Sequence, residues 1–176
     1  MYKLALYLLW FSFPVLSCQL TVRLEQYLPQ VEKLQDESWS GIDYQLTEKL
    51  LSTAGCSFKV VERPWARSLE ALAYGEIDMM LNVTKTQERE NKFHFIGPFR
   101  SEIIVLATNE KSNIKLNRAE DILDLEKPVA VQRKGFYGDK MKELIDDPKN
   151  KSHFIQVTDN ESKVELLKMG RISGCL

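Results

Sequence analysis

The chain has 176 residues, 24 Lys+Arg against 25 Asp+Glu and a formal charge of −1, with 44% hydrophobic and 28% charged residues. That composition belongs to a folded globular protein of one or two domains and excludes a disordered or fibrous chain. The near-zero charge gives no bulk electrostatic reason to bind nucleic acid or an anionic membrane, and three scattered Cys with two His suit neither a disulfide framework nor a zinc site, so no metal or cofactor is expected.

Residues 1–17 read as a secretory signal peptide. Lys3 carries the only charge, and the apolar run over residues 4–16 is too short for the roughly 20 residues a spanning helix needs. Ser17 supplies the small residue before cleavage, which would leave Cys18 first and the protein in the periplasm. Val15-Leu16-Ser17-Cys18 also approximates a lipoprotein box, so lipid attachment at Cys18 is a second reading. Export permits a Cys56–Cys175 disulfide without implying one.

Residues 20–25 alternate apolar and polar, as a half-buried strand does. Residues 27–39 are polar and irregular, with Pro29, and read as a loop. From Ile42 the period changes: Ile42, Leu46, Leu50 and Ala54 share one helical face, expected to point inward, and Gly55 is placed to end the helix. Residues 58–61 predict a second strand. Pro64 opens a short helix buried through Leu69 and Leu72, and the nearly all-apolar residues 77–83 predict a strand covered on both faces. Strand alternating with helix predicts a parallel sheet with crossover helices.

A further strand is expected at 103–107 and a polar turn at 109–117. Then the alternation resumes: helix near 118–125, strand 129–132, helix near 137–145, strand 154–157. Thr158 and Glu161 have capping-box spacing for a last helix with Val164 and Leu167 inward. A division near residue 108 gives two α/β lobes, 18–108 and 109–176. Gly75-Glu76-Ile77-Asp78 before Leu81 is echoed by Gly170-Arg171-Ile172-Ser173 before Leu176. In both, Gly ends a helix and an apolar strand follows. In open parallel sheets ligands bind beyond the carboxyl ends of strands. Leu176 matches Leu81, so the chain is expected to stop just short of the second lobe's equivalent of Asn82.

Four segments together resemble the family 3 extracellular solute-binding proteins, the polar amino-acid receptors of import systems. They are Gly41-Ile42-Asp43, Gly75-Glu76-Ile77-Asp78, the T-x-T-x-E-R run from Thr84 to Arg89, and the aromatic stretch from Phe93 to Phe99. A fifth, from Val129 to Gly135, resembles the start of that family's second lobe. The resemblance implies an α/β, two-lobed, periplasmic-binding-protein-like (type II) clamshell with parallel-rich sheets. A typical member is longer, so the expectation is a C-terminally truncated chain with an incomplete second lobe. It also implies a small-molecule ligand, an amino acid or other small carboxylate, an ABC-transporter permease as partner, and a monomer.

Arg89 is a planar, always-charged fork suited to a carboxylate, and the resemblance gives it that role, with Asn82 and Thr84 beside it. The competing reading is a surface arginine paired with Glu88 or Glu90. Glu25 ends the first strand where many family members keep an acid near the ligand amine. Trp65 and Tyr27 are candidates for aromatic walls, as is Trp39. Arg133, with Gly135, precedes a helix whose N–H groups could meet the ligand anion. Asp43 and Asp78 read as structural caps. The sequence carries no phosphate loop, nucleophile elbow or metal-ligand spacing, so an enzyme is not expected. The alternative function is an extracytoplasmic sensor or input module of a signalling protein or cell-wall enzyme.

Overall fold

β1 (Cys18–Leu24) runs from an exposed start into the deepest part of the molecule, where Val22 is fully buried and Leu24 nearly so. The computed structural model describes residues 18–176; the signal-peptide reading lies outside them. A short antiparallel hairpin follows, β2 (Glu32–Lys33) with β3 (Trp39–Ser40), inside the stretch expected to be a plain loop. Next come α1 (Ile42–Thr53), β4 (Cys56–Glu62), α2 (Trp65–Ala73), β5 (Met79–Met80) and the single turn α3 (Gln87–Glu90). β6 (Ala107–Thr108), a 3₁₀ turn at Ala119–Asp124, β7 (Val129–Gln132) and α4 (Asp139–Asp146) come after them. A second 3₁₀ turn (Pro148–His153), β8 (Phe154–Val157), α5 (Asn160–Lys168) and β9 (Gly174–Cys175) complete the order.

Two sheets result. In the first, β1 lies between β4 and β5 and is parallel to both. In the second the order is β6-β9-β7-β8, with β7 parallel to its neighbours β8 and β9 and β6 antiparallel to β9. Apolar residues of the central strands and of the segments packed on them form separate cores, Val22, Leu24, Leu51 and Leu81 in one and Val129, Val131, Met141 and Leu144 in the other. The second sheet already includes Ala107.

The internal echo is visible in atomic detail. Gly75 and Gly170 both adopt left-handed backbone, with φ 73° and 64°. Glu76 N–H donates to the Ala71 carbonyl at 2.9 Å, and Arg171 N–H to the Leu166 carbonyl at 3.0 Å. Asp78 accepts from Thr21 N–H at 2.7 Å, and Ser173 Oγ accepts from Lys127 N–H at 3.1 Å. Ser173 therefore closes the second junction although the Asp is missing.

Several expectations are corrected. The buried face of α1 is Asp43, Thr47 and Leu51, while Ile42, Leu46 and Leu50 are exposed. An ion pair draws Asp43 inward (below), and Thr47 Oγ1 donates to the Asp43 carbonyl at 2.7 Å, so its burial leaves no unpaired hydroxyl. Residues 103–105 are exposed and outside any strand. α5 is capped by Asp159, which accepts from Ser162 N–H at 2.8 Å, and turns Lys163 inward while Val164 faces out. Cys18 is bonded to Cys56, its register partner across β1 and β4, which leaves Cys175 free. That bond overturns the Cys56–Cys175 option and engages the sulfur that lipid attachment at Cys18 would need.

Candidate functional site

A cavity of about 220 Å³ opens where the carboxyl ends of β1, β5 and β7 converge. Glu25, Tyr27, Trp65, Asn82, Thr84 and Arg89 reach it from the first sheet's side, and Gln132, Gly135, Tyr137 and Lys163 from the second. Strand polarity explains the location: parallel strands deliver their following loops to one edge. Of the residues singled out in the sequence, Arg133 and Trp39 do not line it. Arg133 spends its N–H on the Val157 carbonyl at 2.9 Å, and Trp39 packs against the first core under Lys33.

Arg89 sits in α3, a turn capped by Thr86, whose hydroxyl accepts from Arg89 N–H at 3.3 Å. Its Nη1 donates to the Thr84 carbonyl and its Nη2 to the Lys134 carbonyl, both at 2.9 Å. Burial lowers its pKa from the ordinary guanidinium range, with the nearby Glu88 charge opposing that shift; an arginine so placed stays charged. No carboxylate touches it among the described residues. Trp65 Nε1 donates to the same Lys134 oxygen at 3.3 Å. Lys134 has a left-handed backbone, φ 62°.

The carboxylates of the wall are already engaged. Glu25 is ion-paired with Arg23, which is buried, donates Nε to the Arg63 carbonyl at 3.0 Å and lies 5.4 Å from the Trp65 ring centre. Asp43, 1% exposed, accepts from Arg100 Nη1 at 3.0 Å and from Asn82 Nδ2 at 2.6 Å. Arg100 in turn holds Glu102 at 2.9 Å. Asn82 has φ 59°, a left-handed conformation that Asn tolerates better than most residues, and its Oδ1 is buried with no partner among the described residues. Tyr27 exchanges both backbone hydrogen bonds with Val31 at 2.9 Å, which sets its half-exposed ring at the rim.

Sequence reasoning missed several members of this wall. Tyr137 Oη accepts from Gln132 N–H at 2.7 Å, and burial raises its pKa. Lys163 is 7% exposed and donates to the Leu176 main-chain oxygen at 2.6 Å. Burial lowers its pKa against the opposing fields of Cys175, Glu25 and Asp159. Asp43 is not the cap expected of it, since the N-cap of α1 is Gly41. The available signal was an acid followed four residues on by a small hydroxyl, Asp43 and Thr47, one helical turn apart on the same face. Nothing local pointed to Arg100, its partner 57 positions away. Among the described residues no group of His, Cys, Asp or Glu is arranged to hold a metal ion, and no helix is long and apolar enough to cross a membrane.

The family model of bacterial extracellular solute-binding proteins, family 3, matches residues 20–168. No curated protein matches the sequence. Among solved structures, the truncated arginine-bound ArgBP from T. maritima is similar at 23% identity and TM-score 0.74, over 89% of this chain and 72% of that one. The ancestral amino-acid-binding protein AncCDT-1, a precursor of cyclohexadienyl dehydratase, is similar at 22% identity and TM-score 0.71, over 89% and 69%. The AvGluR1 ligand-binding domain in complex with glutamate gives 17% identity and TM-score 0.72, over 90% and 68%. The fold these share is that of the type II periplasmic binding proteins, mixed α/β with parallel sheets.

Proposed function

The chain belongs to the bacterial extracellular solute-binding proteins of family 3, and from that premise we propose that its cavity binds a small solute with a free carboxylate, an amino acid or a related acid. Arg89 holds that carboxylate, and closure of the lobes 18–108 and 109–176 encloses it. The observation that carries this reading is the position of Arg89. It is a charged fork at the cavity wall, positioned by carbonyl oxygens from both sides and paired with no acid among the described residues. A ligand carboxylate would supply the missing countercharge through two parallel hydrogen bonds.

Thr84 and Asn82 flank that anion site, and Trp65 and Tyr27 wall it. Glu25, already neutralised by Arg23, acts on a ligand amine only at longer range. Arg133 contributes its charge from outside the wall. A cavity of about 220 Å³ lies below the range of about 300–1,000 Å³ typical of drug-sized ligands, which favours a smaller solute. Neighbours of the fold are described with arginine and with glutamate bound. The polar groups those two share are the α-amino and α-carboxylate groups, which supports recognition of that part.

The protein is exported by residues 1–17, works as a monomer, and delivers its ligand to an ABC-transporter permease. We read it as a binding module rather than an enzyme, because Glu25, Asp43 and Glu102 are each tied to a guanidinium and poorly placed to exchange protons. A thermal-shift screen against the amino acids and small dicarboxylates tests the reading. Ligands should raise the melting temperature by mass action, and Arg89→Ala should abolish every such rise. A rise that survives in Arg89→Ala overturns the assignment.

A further inference from the structure

Two cations of the cavity wall, one from each side, carry no carboxylate among the described residues. Arg89 is the first. The second is Lys163 of α5, 7% exposed, whose Nζ donates to the Leu176 main-chain oxygen at 2.6 Å. Lys163 and Leu176 both line the cavity, which puts the ammonium end at its wall. An ammonium has three donors, and the other two meet no acceptor among the described residues. The acids around it are engaged elsewhere. Glu25 holds Arg23, Asp43 and Glu102 hold Arg100, and Asp159 accepts from Thr158 and Ser162. Glu25 and Asp159 favour the charged form of Lys163 through their fields, without an ion pair to it. Lysine is rarely buried unless paired, and an unpaired buried charge is costly. Yet α5 turns this ammonium inward and leaves the apolar Val164 beside it exposed, the reverse of what packing alone selects.

We infer that Lys163 is a second anion-binding residue of the cavity, and that the solute carries two anionic groups: an acidic amino acid or a small dicarboxylate. This inference rests on the cavity being the solute site, and it narrows the ligand class proposed there. Arg89 takes one carboxylate and Lys163 the other. The two side chains suit different tasks. The planar guanidinium meets a carboxylate at two points and fixes its orientation, whereas the ammonium is a point charge that accepts many directions of approach. Because the cations stand on opposite sides, a diacid neutralises both, and an acid with one charge leaves the other bare. Discrimination between an acid and its amide therefore falls to Lys163.

The test titrates the full chain by calorimetry with probes matched in size and differing in one charge: L-glutamate against L-glutamine, L-aspartate against L-asparagine, and glutarate against 5-amino-5-oxopentanoate. In at least one pair the acid should bind about ten- to a hundredfold more tightly than its amide, the scale of one hydrogen bond to a charged group. Lys163→Met keeps the length of the side chain and removes its charge, and there the advantage of the acid should disappear. Lys163→Gln, a second neutral variant, should give the same result. An advantage that persists in either folded variant overturns the inference. So does an unmodified protein that binds the amide as tightly as the acid in every pair, a comparison that needs no variant; loss of both partners in Arg89→Ala then leaves the carboxylate reading standing. Binding of no probe in any pair overturns both.

Discussion

The Arg89 guanidinium donates through Nη2 to the Lys134 carbonyl at 2.9 Å, joining residues 45 positions apart on opposite sides of the cavity. The proposed anion anchor is thus also a contact between the two sides of the cavity. Lys134 lies in a left-handed turn after β7, φ 62°, where its carbonyl meets Arg89 and Trp65. In the function proposed above, anion binding and closure share one side chain, so replacing it should affect both. Arg89→Ala should weaken amino-acid binding at least about a hundredfold, the scale of a lost charge-assisted pair. Its melting temperature should fall by no more than a few degrees, because the side chain is only partly buried. Arg89→Lys keeps the charge but cannot serve both carbonyls and a carboxylate, and should recover a minor part of the affinity. Full recovery with lysine would show that the fork is not needed.

Trp65 reaches the same Lys134 oxygen at 3.3 Å while its ring carries the Arg23 guanidinium. Trp65→Phe removes the N–H and keeps a ring beneath Arg23. The expected result is a Kd raised about three- to tenfold, as for one neutral hydrogen bond, with a larger radius of gyration in solution scattering without ligand. A Trp65→Phe protein that binds normally and scatters like the parent would confine the indole to packing.

Asp43 is the most buried charge of the site, with two donors on it. Removing one member of a buried pair leaves the other uncompensated, at about 3–5 kcal/mol. Arg100→Met leaves the buried Asp43 carboxylate with only the Asn82 amide and should therefore lower the free energy of urea unfolding by about that amount, a large share of a domain's total. Asp43→Ala should destabilise less, because Arg100 is partly exposed and keeps Glu102 as its partner.

Much of this architecture was legible in the chain. β7 and β8 match their expected bounds, because short runs rich in Val, Ile and Phe favour strand over helix. The Gly75 and Gly170 junctions were legible for a similar reason: few other residues end a helix in left-handed backbone. The face of α1 was not legible. Periodicity favoured Ile42, Leu46 and Leu50, but a long-range ion pair at Asp43 decided the roll of the helix. At the site, residues at strand ends and in the T-x-T-x-E-R run could be placed by position alone. Lys163 and Tyr137 could not, because their inward direction depends on how α5 and the turn after β7 pack.

The Cys18–Cys56 bond closes a separation of 38 residues between the starts of two paired strands. A loop of that length stabilises by about 2–4 kcal/mol, chiefly by restricting the unfolded chain. Cys18→Ser with Cys56→Ser should lower the melting temperature and leave amino-acid affinity within about twofold, since the bond lies at the opposite end of β1 from Glu25. Unfolding with and without reductant checks this: reductant should destabilise the parent and leave the double serine variant unmoved.

Acid should act on α5 through Asp159, its N-cap. Hydrogen bonds from Thr158 and then Ser162 hold its carboxyl below the usual aspartate value near 3.8. A carboxyl depressed in the folded state stabilises fully above the unfolded pKa, and that contribution is lost as pH falls through the folded one. Asp121 is depressed in the same direction by Asn117 N–H and Arg118. Stability should thus be flat above about pH 5 and decline below about pH 4. Asp159→Asn keeps an N-cap without the charge and should flatten that decline; Asp159→Ala should cost about 1 kcal/mol at neutral pH, as a lost cap does. Because α5 carries Lys163 to the cavity, fraying of its first turn should loosen that wall before the protein unfolds. Amino-acid affinity should therefore fall in Asp159→Ala, read by calorimetry at pH 7, while Asp159→Asn binds as the parent does. Equal affinity in all three would separate the cap from the site.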